Sequence, residues 1–441
     1  MKQASLVLLA SFLTTDGIVS LHGQSPEGGA PGKPVEITLG EAIHRAQANA
    51  PEFAAAQAES RSAGLDRWTA WSGLLPSAVY HNQGVYSQGV DRKNDGSSPR
   101  FISANGVHEY TSQAVINETL GVGTLAEARH ANAAAARAAA ELEIARRGLT
   151  AAVTGLYYGF AAAQSKLSVA ERARTEAEDF LSLTSKRETA REAAHADVVK
   201  AQLAAQQRGR ELSDARLVAE KARLELGVLL FPDPRTPYTV TSEEESPLPT
   251  RAEADAQASK NNPELKGALA AMAESNADVL AARAAYLPEI NVNYSYGIDA
   301  AQFAVNAPDH SSNLGHAAGV TVDLPVWDWL STQRKVRQSE IRREAVKTAL
   351  TATQKRLIAR LEEAWSEAVA AHDQLGSLDV SVNTAAESLR LTRMRYSEGE
   401  ATVLEVVDAE SAFVGAENAR EDGRVRYQVA RADLQTLTGN M

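Results

Sequence analysis

The 441 residues include no cysteine. That excludes a disulfide, a thiolate metal site and a cysteine nucleophile, and leaves no thiol to carry a lipid. Aromatic residues make up only 5%, whereas thick globular cores draw heavily on Phe, Tyr and Trp. No apolar run reaches the roughly 18 residues of a membrane-spanning helix, so any membrane crossing must use β-strands. Positive charge is in deficit: 45 Lys and Arg stand against 56 Asp and Glu, a net charge of −11. Without a concentrated basic stretch, a nucleic-acid partner is excluded. There is no His-x-x-x-His pair, no P-loop and no Ser-His-Asp set, and Gly121-x-Gly123 lacks a third glycine. The sequence therefore offers no metal site, no cofactor site and no catalytic group, and reads as a non-enzyme.

What is present is alanine, with leucine and valine spaced among charges. That profile suits long helices packed in thin layers. Near the start, Lys2 precedes the apolar run Leu6 to Leu13, and a Gly/Pro/Ser-rich stretch runs from Gly23 to Pro34. The pattern predicts a signal peptide over 1–24 and a flexible N-terminus over 25–37.

The chain repeats itself. Thr38 to Pro76 aligns without a gap on Thr250 to Pro288, and the informative identities are Asn49-x-Pro51-Glu52 with Asn261-x-Pro263-Glu264, and Leu75-Pro76 with Leu287-Pro288. Each copy predicts one helix, over 38–74 and 250–286, ended by its Leu-Pro pair. Period-two segments follow, predicting strands near 77–90, 108–120, 289–300 and 315–324 with turn-rich loops between the members of each pair.

The remaining blocks, 126–230 and 331–438, predict coiled-coil hairpins. In the second block Leu350, Leu357, Ala364, Ala371, Leu378 and Ala385 recur every seven residues, with Leu361, Ala368, Leu375, Val382 and Leu389 as the complementary set. Shifting by 208 positions finds Leu142, Leu149, Leu156, Ala163, Ala170 and Ala177, partnered by Val153, Phe160, Leu167 and Leu181; only Arg174 breaks the seam. Small seam residues let helix axes approach closely. Turns are expected at 187–195 and 396–402, giving a first leg roughly 98 Å long and a return leg half that. The expected fold class is mostly α with membrane β: a first repeat over 38–230, a linker over 231–249 and a second repeat over 250–441. The short helices of each repeat should stack end to end alongside the long one.

The stretches Val320-Thr321-Val322-Asp323-Leu324-Pro325-Val326-Trp327 and Arg395-Tyr396-Ser397-Glu398-Gly399-Glu400-Ala401-Thr402-Val403-Leu404-Glu405-Val406-Val407-Asp408-Ala409-Glu410 resemble the TolC family of outer-membrane efflux and secretion channels. The first-repeat counterpart, Asp197-Val198-Val199-Lys200-Ala201-Gln202, is a looser match. The resemblance implies a homotrimer in which four strands per chain pool into a twelve-stranded barrel above an α-helical tunnel. It further implies a place in the outer membrane of a Gram-negative bacterium, a long periplasmic portion, and contact with outer-membrane lipid. The expected partners are a periplasmic adaptor (membrane fusion) protein and an inner-membrane pump, in a tripartite efflux or type I secretion system. Strand number by itself reaches part of this. Four strands cannot close a barrel, for which about eight are needed, so a lipid-spanning sheet requires several copies; two, three or four would serve.

The resemblance also implies a site. Acidic residues of the narrowest ring carry over to Glu405 and Asp408, which share a helix face at i, i+3, and to Asp197 in the first hairpin. Tyr396, Ser397, Gly399, Ala401 and Arg191 fall at the periplasmic tips, as gate and adaptor contact. Two departures stand out: Ala401 replaces an arginine of some members, and Arg191 replaces the usual glycine. Trp327 and Trp329 are expected as anchors at the membrane interface. The competing reading is a periplasmic coiled-coil adaptor or structural spacer, whose strands would form a small soluble domain.

Overall fold

The computed structural model describes residues 35–86, 108–241 and 248–439. The expected signal segment, most of the 25–37 stretch and the last positions of the 77–90 strand lie outside the described residues. The first repeat runs β1 (Val35–Ile37), α1 (Leu39–Asn49), α2 (Pro51–Ser72), β2 (Ser77–Tyr86), β3 (His108–Leu120), α3 (Val122–Thr189), α4 (His195–Leu230) and β4 (Tyr238–Val240). The second runs α5 (Arg251–Asn261), α6 (Pro263–Ala284), β5 (Glu289–Ala300), β6 (Leu314–Asp323), α7 (Ser331–Ser397) and α8 (Val403–Thr438).

The single helices expected over 38–74 and 250–286 are each two helices. Pro51 and Pro263 open α2 and α6 at a first helical position, where a missing N–H costs nothing. The same rings push the preceding residues out of helical geometry, and Ala50 and Asn262 are extended, with ψ 116° and 122°. Thr38 and Thr250 cap α1 and α5 by accepting from the N–H of Glu41 and Glu253. In the second copy Asn262 also caps α6, through Leu265 N–H at 2.9 Å.

The long helices carry the architecture. With 68 residues α3 spans about 102 Å, while α2 has 22 residues and α4 has 36. Both short helices lie along α3, but together they fall short of it. The gap is filled at mid-length by α1, β1 and β4, around a core that includes Ile37, Val153, Tyr157, Phe160, Leu226 and Tyr238. Segments 35–37 and 238–240, expected as flexible terminus and linker, are here a parallel two-stranded sheet. α5, α7 and α8 build the matching joint of the second repeat around Ala254, Leu361, Ala368 and Leu434. Every seam position named above is buried or half-buried, and Arg174 is exposed and paired with Glu178 at 2.9 Å.

Above the helices lies one antiparallel sheet in the order β2-β3-β5-β6. Its register puts Tyr80, Ile116, Leu120, Ile290, Val292, Tyr294, Val320 and Val322 on one face. Gln113, Asn117, Thr119, Asn291, Asn293, Ser295 and Thr321 share the other, where Thr119 donates to Asn291 at 2.8 Å. The apolar face is uncovered: Val320 is 69% exposed and Tyr80 67%. Water-soluble sheets bury that face.

Tyr157 is the pin of the mid-length joint. Fully buried, its hydroxyl lies 2.9 Å from the Ile37 carbonyl and 2.7 Å from the Thr241 carbonyl, and it accepts from Thr241 N–H at 3.1 Å. Tyr157→Phe leaves these backbone groups short of a partner, at a cost of about 1–3 kcal/mol. The thermal midpoint followed by circular dichroism should fall measurably; an unchanged midpoint would refute the pin.

Candidate functional site

Two helical turns form the end of the molecule opposite the sheet. Both close by the same device. Glu192 N–H reaches back to the Arg187 carbonyl at 2.8 Å, and Glu400 N–H to the Arg395 carbonyl at 2.8 Å. Such a closure needs a left-handed residue just past the helix end. Gly399 supplies it at φ 82°, and Arg191 occupies the same position in the first turn at φ 66°. A side chain there costs about 1–2 kcal/mol, so the first turn stores strain that the second does not.

Tyr396 sits where four helices meet. It is 6% exposed and clusters with Phe180, Ala201, Val403 and Val406, while Ala401 packs against the cluster's edge. Its ring centroid lies 5.0 Å from that of Phe180, and the Arg187 guanidinium lies 5.0 Å above the ring. Arg187 also donates to the Tyr396 carbonyl at 2.6 Å, and Thr184 Oγ1 lies 3.3 Å from the tyrosine hydroxyl. One aromatic residue thus joins α3, α4, α7 and α8. Ser397 donates to the Met394 carbonyl at 2.6 Å and stays exposed.

The three expected acidic residues have different surroundings. Asp197 and Glu405 occupy equivalent positions in the first turns of α4 and α8. Glu405 is taken up locally: its Oε1 accepts from Thr402 N–H at 3.2 Å and from Thr402 Oγ1 at 3.1 Å, and its other oxygen lies 3.5 Å from Arg395. That is a capping box. Asp197 is half-buried and lies 3.6 Å from Lys200. Asp408 is exposed, and among the described residues it has no cationic partner.

The two hairpins meet through charge. Arg393 of α7 holds Glu176 of α3 at 2.6 Å and the buried Glu410 of α8 at 2.7 Å. Burial works against its charge, and the hydrogen bonds to Glu410 and Glu176 outweigh that and raise its pKa. Further along, Arg172 meets the buried Glu417 at 2.8 Å. Beside them an open cleft of about 700 Å³ runs between α3 and α8, lined by Tyr158, Ser165, Arg172, Glu421, Arg424 and Gln428. The sequence spells out the Thr402–Glu405 box, since Thr-x-x-Glu before an apolar run is its signature. It gives no sign of Arg393 or Arg187, whose partners lie 217 and 209 positions away. Trp327 and Trp329 form an edge-to-face pair at 5.8 Å beside the sheet, 70% and 79% exposed.

An uncovered apolar sheet face, a polar opposite face and two long helical hairpins are the pattern of an outer-membrane channel fold. Comparison with known proteins gives the same class. Residues 256–440 match the outer membrane efflux protein family. Over 180 residues the chain is 25% identical to outer membrane protein OprJ of Pseudomonas aeruginosa, covering 41% of this chain and 37% of that protein. Over 165 residues it is 28% identical to outer membrane protein TolC of Vibrio cholerae, covering 36% and 35%. The chain thus spans little more than a third of the length of these curated relatives in the matched region. Among solved structures, the CmeC outer membrane channel of Campylobacter jejuni superposes with a TM-score of 0.76 at 15% identity, over 91% of this chain and 85% of the other. Over residues 256–440 the chain is thus similar to outer membrane efflux proteins, and its fold is that of the solved outer-membrane channels.

Truncating the tip's central ring tests the local packing. Tyr396→Ala should destabilise the turns by about 3–5 kcal/mol. Hydrogen exchange should accelerate at 180–187 and 396–407, with protection around Tyr157 unchanged. Equal acceleration in both regions would refute a tip that is packed independently.

Proposed function

We propose that three copies of this chain form an exit duct across the outer membrane, serving efflux or secretion. The observation that carries this is the sheet: apolar on its uncovered face, polar on the other, and among the described residues unpaired along β2 and β6. Backbone groups left unpaired in hydrocarbon cost several kcal/mol each, so β2 of one copy must meet β6 of the next. Three chains give the twelve strands of the family barrel, with the polar face lining the lumen and Trp327 and Trp329 at the lipid–water boundary. Helices of about 100 Å then continue the duct below the membrane.

The proposed mechanism is passive conduction, closed at the turns around Arg191 and Gly399. An inner-membrane pump and a periplasmic adaptor would deliver cargo there, with the α3–α8 cleft open to an adaptor. In the closed ring Asp408 carries the acidic constriction together with Asp197. Glu405 contributes less, because Thr402 and Arg395 already occupy its oxygens.

Purified protein should run as a trimer by light scattering in detergent and should give cation-selective steps in planar bilayers. A monomer without conductance overturns the proposal. Asp408→Asn removes the charge and leaves the capping box untouched. It should raise conductance severalfold and weaken cation preference; an unaltered channel would rule out the acidic ring at this position.

A further inference from the structure

Duplication leaves one interface of the chain without its counterpart. α3 lies between α2 and α4 on one side and α6 and α8 on the other. α7 has α6 and α8 beside it, with α5 at the mid-length joint and α3 at the tip; among the described residues its opposite flank and the outer flanks of α2 and α4 have no neighbour. On these open flanks Ile358 of α7 is 70% exposed, Val380 of α7 64% and Leu217 of α4 54%.

The intact interface shows what the open one is built to do. Arg147 of α3, 6% exposed, donates to the carbonyl of Thr436 in the last turn of α8 at 2.9 Å, and to that of Asn261 at the end of α5 at 3.2 Å. It caps two helix C-termini at once, where carbonyls lack partners and carry partial negative charge. Its counterion is Glu143, 2.7 Å away. Hydrogen bonding from Arg146, aided by Arg147 and opposed by burial, holds that carboxyl down to about 2. Nearby, α3 and α8 approach closely, so that a Cβ on Gly155 would lie 3.9 Å from Val429. Arg172 and Glu417 then pair further along.

A shift of 208 positions carries Val403 onto His195 and Thr438 onto Leu230, and α3 onto α7 with the same register. Arg147 becomes Lys355, and Thr436 becomes Val228; Asn261 corresponds to Asn49 in the aligned repeat helices. The Val228 carbonyl cannot be capped by its own chain in the helical manner, because the residue four positions on is Pro232, which has no N–H. Lys355 is exposed, and among the described residues it has no carboxylate partner. Gly155 and Val429 become Glu363 and Lys221, of opposite charge, both exposed and without an ion pair among the described residues. Arg172 and Glu417 become Val380 and Gly209, and Gly209 has open space where a side chain would be. Each substitution replaces one complementary pair by another: a guanidinium cap by an ammonium cap, a close apolar contact by an ion pair, and an ion pair by a knob facing a hole.

We infer that α7 docks on the α1–α2–α4 flank of the next copy in the register that α3 uses on α5, α6 and α8. Lys355 then caps the α1 and α4 carbonyls of that copy at Asn49 and Val228. Glu363 pairs with its Lys221, and Val380 fills the space at its Gly209. This rests on the trimer proposed above and adds the register and the residues that hold it.

Because the chain lacks cysteine, the register can be read covalently. Full-length protein carrying Glu363→Cys and Lys221→Cys, oxidised with copper phenanthroline in detergent, should give a non-reducing ladder ending in a covalent trimer and collapsing on reduction. Glu363→Cys with Gly209→Cys, offset by twelve positions or about 18 Å, should give none. Trimers by light scattering with no ladder, or with equal ladders from both pairs, overturn the register while the trimer stands. Monomers by light scattering overturn both. Charge reversal gives an independent reading. Glu363→Lys or Lys221→Glu alone should lower the temperature at which trimers dissociate, and the two together should restore it. Failure of the pair to restore what each removes also overturns the register.

Discussion

The governing constraint is a sheet that cannot finish itself. Among the described residues, β2 and β6 each leave one row of N–H and C=O groups unpaired, and lipid offers nothing to pair with them. A soluble protein would cover its apolar sheet face with helices. Here the helices instead run away from the sheet, so that among the described residues neither face nor edge is satisfied. The duplicated sequence, the long thin hairpins and the small share of aromatics are all consistent with a wall segment rather than a filled body.

Two kinds of helix contact divide the work below the sheet. Within a hairpin the seam is apolar and heptad-spaced, with Leu361, Ala368, Val382 and Leu389 buried along α7. Such seams set which helices pair and how closely. Between the hairpins, Arg172 of α3 is matched to the buried Glu417 of α8, and Arg393 of α7 holds Glu176 of α3 together with the buried Glu410 of α8. An unmatched carboxylate in that position is costly, so these pairs penalise sliding more than they add to stability. The tip combines both: an apolar cluster around Tyr396, pinned by Arg187, and a strained Arg191 turn beside a relaxed Gly399 turn. One of the two turns is therefore nearer its limit than the other.

Much of this was legible in residue order, because it depends on local periodicity. Alternation in Ile290, Val292 and Tyr294 marks a strand, seven-residue spacing marks the coiled coils, and Thr402-x-x-Glu405 marks a helix start. Pro51 marks a boundary as well, although the helices on both sides of it read as one. The candidate site was legible only as positions. That Glu405 spends its oxygens on Thr402 and Arg395, while Asp408 has no cation among the described residues, depends on side-chain geometry at a turn.

What the sequence determined by itself was the period of each element and the duplication that relates them, since both follow from spacings along the chain. Tertiary structure alone decided which distant groups meet: β1 with β4, Tyr157 with Ile37 and Thr241, Arg147 with the ends of α5 and α8, Arg393 with Glu176 and Glu410. Those contacts join residues tens to hundreds of positions apart, and a hydrogen bond at 3 Å leaves no periodic trace in the sequence between them.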